Sequence, residues 1–219
     1  MHKFSLGNIG KKEIRLKVPF YSQFEKDNGL DRRWQERSCG ILALRMIFDY
    51  YRTVQGAPLV NLQQLLSDAL ELGGVDKHHN WYHATLVRTA RHYGFLAWRR
   101  SWIPSQRDVD WFKKEGASEL SIKAWHQQLK EEAVYALSLE IVEGHPVVVS
   151  ASPYFGEEQK AHLMVLSGLR KDSNGNVEGF YYQDPYDKTQ GPKKERYVSL
   201  EQFMKAWTFR AVFVHPGEQ

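Results

Sequence analysis

Cysteine is almost absent: Cys39 is the single one in 219 residues. An intrachain disulfide is therefore excluded, and the fold does not depend on an oxidising compartment. Long apolar runs are missing too, since no stretch approaches the roughly 20 apolar residues of a membrane-spanning helix. Residues Met1 to Asn8 lack the apolar segment of a signal peptide. There is no internal repeat and no low-complexity tract. Nor does charge of one sign dominate, because 30 Lys and Arg stand against 26 Asp and Glu, a net of +4. These absences point to a globular protein of the cytoplasm with no membrane partner, long enough to bury a full core without staples.

Arginines do gather at Arg88, Arg91, Arg99, Arg100 and Arg107, with Trp98 and Trp102 nearby. A nucleic-acid footprint needs such cations on one face, interleaved with stacking aromatics. The segment reads more simply as a solvated rim of helices and loops, so nucleic acid is not the expected partner.

The lone cysteine opens the most informative stretch of the chain. After Ser38-Cys39-Gly40, apolar residues fall at Ile41, Leu44, Phe48 and Tyr51, the spacing of one buried helix face. Ser38 is suited to cap that helix with its hydroxyl. Cys39 then sits at the first turn, where the partial positive charge of the helix end favours a thiolate. Gly40 leaves the adjacent backbone uncovered, so a substrate or an oxyanion has room to approach. The bland alternative is a small buried core residue, a common fate for free cysteine.

Helical periodicity continues over 59–72, over Trp81 to Tyr93, and from Ser121, as a cap, towards Glu143 with a break near Tyr135. The segment 104–116 carries no clear pattern. From Pro146 the texture turns β-branched and apolar. Strands are expected at 146–151, 162–169, 179–184 and 209–214, with an Asn-Gly hairpin turn at 172–176, and a short earlier one at 95–98. Ser199 and Gln202 have capping-box spacing for a short helix. Helices first and an antiparallel sheet afterwards predict an α+β fold.

A nucleophilic cysteine needs a base, and position selects one among nine histidines. His162 begins a strand directly after a polar loop, and Asp184 ends the next strand before Pro185. A hairpin brings strand start and strand end together, which yields nucleophile, base and orienting acid in chain order. Two glutamines, Gln23 and Gln35, precede Cys39, and either places an amide N–H near the sulfur to stabilise an oxyanion. His79 and His83 have the i, i+4 spacing of metal ligands. They lack a third partner, and helix-end packing explains them better, so no metal and no cofactor are expected.

With these blocks in view, the chain resembles the papain-like cysteine peptidases of the bacteriocin-processing, double-glycine-leader type, in their stand-alone peptidase-like relatives. The resemblance rests on Val18-Pro19-Phe20-Tyr21-Ser22-Gln23, Ser38-Cys39-Gly40, and Gly144-His145-Pro146-Val147-Val148-Val149. It continues in Ala161-His162-Leu163-Met164-Val165-Leu166-Ser167-Gly168 and Tyr182-Gln183-Asp184-Pro185. It implies a papain-like fold without transporter domains, Cys39 as nucleophile, His162 as base, Asp184 as orienting acid, and an upstream glutamine as oxyanion donor. Gln23 matches by its place in the first block, and Gln35 by its closeness to the cysteine. Ile41 departs from the Pro or Ala usual after Cys-Gly, which bears on specificity. The motif blocks leave 57–140 uncovered, and the expectation is a helical, family-specific insert within a single domain spanning 1–219. The implied activity is a thiol hydrolase acting on a peptide or amide bond. The same three residues also serve acyl transfer, and a retired scaffold of this kind would serve as a peptide-binding module.

Overall fold

The computed structural model describes residues 12–25, 30–156, 162–187 and 195–217. Most of the expected N-terminal arm, and the second half of the polar loop after Ser152, lie outside these residues.

The nucleophile-candidate helix forms where the apolar spacing places it. It is α2, Cys39–Gln55, after a four-residue helix α1, Arg32–Gln35. Gly56 ends α2 in a left-handed conformation that returns its N–H to the last turn. Two shorter amphipathic helices follow, α3 (Leu62–Glu71) and α4 (His83–His92). The helix expected from Trp81 starts two residues later. Trp81 instead forms an antiparallel bridge with Val75 across the loop 76–80. The patternless segment also holds a helix, α5 (Gln106–Lys114), closed by a reciprocal Ser105–Asp108 capping box. Its apolar face is short, Val109 and Phe112, with Phe112 packed on Trp125 of the next helix, and it buries no residue fully.

The next helix, α6 (Glu119–Val142), starts earlier than expected. Ser118, not Ser121, is the cap: its backbone is extended and its hydroxyl accepts from the Ser121 N–H. The helix runs past Tyr135 without a break. A last helix, α7 (Leu200–Ala206), is capped by Ser199.

Seven strands make one sheet: β1 (Glu13–Arg15), β2 (Leu96–Ser101), β3 (Val147–Ala151), β4 (His162–Lys171), β5 (Val177–Gln183), β6 (Arg196–Ser199) and β7 (Trp207–His215). Their order is β2-β7-β3-β4-β5-β6, with β1 paired to the far end of β4, and every described pairing is antiparallel. Strand β2 lies within 57–140 and pairs with β7, the last strand described. Gly168 is needed where β1 crosses β4, because a Cβ there would stand 2.3 Å from the Ile14 carbonyl oxygen.

Helices cover both faces of this sheet. On one face α2, α3 and α4 pack with Val148, Leu163, Val165, Val212 and Val214. On the other, α6 and α7 pack with Val147, Val149, Met164, Leu166 and Phe180. Neighbouring residues of β3 and β4 therefore bury on opposite faces, which is why these strands read as continuous apolar runs. Deep in α2, the fully buried Asp49 carboxylate accepts from Tyr21 Oη (2.8 Å), the Val60 N–H (2.8 Å) and Arg45 Nε (3.3 Å). That network ties the segment before α1 to the helix that carries Cys39.

Candidate active site

Three elements place the three candidate residues. Cys39 is the first residue of α2, His162 the first of β4, and Asp184 the first beyond β5. The β4–β5 register sets Gln183 opposite Val165, so Asp184 falls beside the start of β4. His162 Nε2 stands 2.5 Å from Asp184 Oδ1, both side chains buried. The Cys39 thiol and the same imidazole lie close enough to shift each other's titration. With Nε2 turned to the carboxylate, Nδ1 is the nitrogen left for sulfur. Cys39 itself is half-buried and opens to a cleft.

The electrostatics follow from that contact. Burial pushes the Cys39 thiol up. The hydrogen bond and charge of His162, with backbone bonds at Leu163 and Gly40, outweigh it, so the thiol lies below its ordinary value. Burial likewise pushes His162 down, but Asp184 and Cys39 favour the charged ring more strongly and hold it well above the usual imidazole value. Both shifts favour thiolate and imidazolium side by side.

Asp184 is itself well fixed. Its Oδ1 also accepts the Tyr186 N–H at 2.8 Å, the local turn expected of Asp before Pro. The Tyr186 ring lies edge-on to His162, 5.8 Å between centroids, and Phe24 packs edge-on against Tyr186. Sequence reading passed over Tyr186, although Asp-Pro-Tyr carried the signal for its N–H.

Gln23 and Gln35 turn out to be linked. The Gln23 backbone N–H donates to the Pro185 carbonyl, and its side-chain Nε2 donates to the Gln35 backbone carbonyl, each at 2.8 Å. Gln23 is thus buried between the turn after Asp184 and the chain leading to Cys39.

Two local expectations fail. Ser38 occupies the cap position, but its ψ of 9° is unlike the extended ψ of 121–157° at Asn61, Ser105, Ser118 and Ser199. Its hydroxyl makes no cap bond and is buried without a partner among the described residues. Gly40 does not leave open backbone either. A Cβ there would stand 2.7 Å from Trp81 Cγ and 3.1 Å from a Leu163 methyl, so glycine is needed for the indole to lie over it. Trp81 Nε1 donates to the Arg37 carbonyl at 2.6 Å, which pins that ring in place.

The cleft beyond Cys39 has a volume of about 980 Å³. The loop 76–80 forms one wall, organised by Asp76, whose carboxylate accepts from the His78 and Asn80 N–H groups. His79 sits in that loop at φ 64° and His83 opens α4, so the two do not share a helical face. Among the described residues no group of three His, Cys, Asp or Glu is arranged to hold a metal ion.

The sequence profile of the Peptidase_C39 like family matches residues 15–211. Among solved structures, one similar chain is a Bacillus anthracis protein assigned as a C39-like peptidase, at 18% identity and TM-score 0.56, covering 95% of this chain and 100% of that one. A double glycine motif protease from an AMS/PCAT transporter, solved with its leader peptide, aligns over 92% and 94% of the two chains at 20% identity and TM-score 0.49. The peptidase domain of Streptococcus ComA, a bi-functional ABC transporter, aligns over 83% and 93% at 16% identity and TM-score 0.47. No curated protein sequence matches the chain.

Proposed function

The chain belongs to the Peptidase_C39 like family, with a papain-like fold, and from that premise we propose that it is a thiol hydrolase cleaving a peptide or amide bond through an acyl-thioenzyme. The observation that carries the reading is the buried His162, bonded through Nε2 to Asp184 at 2.5 Å, on the cleft that Cys39 also lines. In this reading the Cys39 thiolate attacks the scissile carbonyl carbon, forming the C–S bond while the carbonyl electron pair moves to oxygen. Gln23 and the Cys39 N–H are the assigned donors to that oxyanion. Collapse breaks the C–N bond, and the leaving amine takes the proton held by His162. Water then gives its proton to His162 and attacks the thioester, releasing the acid and restoring the ion pair. Asp184 fixes the ring tautomer and stabilises the imidazolium.

The test is the pH dependence of Cys39 alkylation by iodoacetamide, in the native protein and in His162→Ala. Only thiolate reacts, so the rate should rise through a pKa below the roughly 8.5 of a free thiol. Without His162 only the backbone bonds at Leu163 and Gly40 oppose burial, and the rise should move to higher pH. An ordinary curve that ignores the substitution would remove the proposed ion pair.

A further inference from the structure

The cleft that opens from Cys39 is lined by Arg37, Arg88, Arg99 and Arg210, and Glu36 is the one carboxylate among its described lining residues. Six described arginines outside the cleft find acids: Arg15 and Arg33 pair with Glu13 and Asp31, Arg45 with Asp49, Arg100 with Glu132, Arg170 with Glu178, and Arg196 with Asp187; Arg52 and Arg91 bond carbonyls instead. The cleft arginines pair with no described acid. The side chains of Arg37, Arg99 and Arg210 make no hydrogen bond or ion pair with any described residue. Arg88 is held by neutral acceptors, the Leu72 carbonyl at 2.5 Å and Thr85 Oγ1 at 3.2 Å.

Two of these cations also stand close together. In the β2–β7 register Ser101 faces Arg210 and Arg99 faces Val212. Arg99 and Arg210 are therefore diagonal neighbours on one face of the ribbon, where like charges repel. His83, on the cleft wall, feels them both: burial first, then Arg210 and Arg99, push it down to about 4. Among the described residues no carboxylate pairs with Arg99 or Arg210, and an incoming carboxylate would relieve this field with charge-assisted, bidentate bonds.

We infer that this arm of the cleft is a specificity subsite for carboxylate side chains, so that the substrate is an acidic peptide. The inference rests on the thiol-hydrolase reading for the word substrate, but its binding content does not. A peptide is favoured over a nucleic acid because the arginines flank the Cys39–His162 pair inside a cleft. Of the sequence cluster, only Arg88 and Arg99 reach it; Arg91 is turned to the Ala97 carbonyl and Arg100 to Glu132.

The experiment is fluorescence anisotropy on the Cys39→Ala chain, which binds without turnover. The probes are a rhodamine-labelled decapeptide of alternating Ala and Glu, its Ala-Gln counterpart, and a single-stranded DNA decamer. The Glu peptide should bind at least about tenfold more tightly than the Gln peptide, a preference that weakens as salt screens it. Arg99→Gln/Arg210→Gln should erase most of that preference with little change in the unfolding midpoint, since both side chains are exposed. Arg107→Gln/Lys113→Gln, an equal charge loss on α5, should retain it. Equal binding of the two peptides, a preference that survives the Arg99/Arg210 change, or DNA binding as tight as the Glu peptide would each overturn the subsite. An ordinary alkylation curve for native Cys39 together with intact acidic preference would sink the hydrolase reading and leave the subsite standing.

Discussion

One oxygen of Asp184 accepts from two directions, His162 Nε2 at 2.5 Å and the Tyr186 N–H at 2.8 Å. Asp184→Asn keeps an oxygen for the backbone donor but removes the negative charge that favours imidazolium. His162 should then lose its proton more easily, and Cys39 should hold its own more firmly. At pH 6 alkylation should slow about tenfold, the effect of roughly one pKa unit, with the unfolding midpoint little changed. Alkylation at the native rate would show that the carboxylate does not tune the pair. At this scale the sequence was partly legible. Asp184 and His162 stood out because strand ends and a Pro turn confine them. The Ser38 hydroxyl and the cover over Gly40 did not, because the first depends on a backbone angle and the second on Trp81, distant in sequence.

The helix that presents Cys39 owes its position to a contact made by absence. Gly40 lets Trp81 close over the first turn of α2 against Leu163. Helix propensity alone favours Gly40→Ala by about 1 kcal/mol. Overpacking against a pinned indole costs about 1–3 kcal/mol and should win. The unfolding midpoint should fall by a few degrees, and alkylation of Cys39 should change with it; calorimetry and the iodoacetamide rate check both. A midpoint that rises would mean that Trp81 gives way freely. Elements were legible where long apolar patterns are buried, on one face in α2 and α3 and on both in the run 146–151. They were not legible where the pattern is short and only half-buried, as in α5, or where four residues such as β6 pair only at an edge.

Across the whole molecule, the sequence segregates helices from strands, but the sheet does not respect that division. Strand β1 comes from the first residues described and β2 from the middle of the chain, and both enter a sheet otherwise built after residue 146. Such pairings join residues far apart in sequence, and no local pattern announces them. Residues 57–140 also supply Leu65, Leu66, Leu86 and Ala90 to the core packed on α2. Replacing 57–140 by a short flexible linker should therefore yield a chain without a cooperative unfolding transition, measurable by circular dichroism; a sharp transition would make the segment a true appendage. The long-range bonds have a further consequence in time. Gln23 is tied to Pro185, Ser22 to the Asp187 carbonyl, and Gln183 to the Val18 carbonyl. At about 5–20 residues per second, a ribosome releases Cys39 roughly 7–30 s before Asp184. Through that interval the nascent chain carries a thiol with no base and no acid beside it. The proposed chemistry thus switches on only once residue 184 has been made, and a prematurely terminated chain ending before it is born inert.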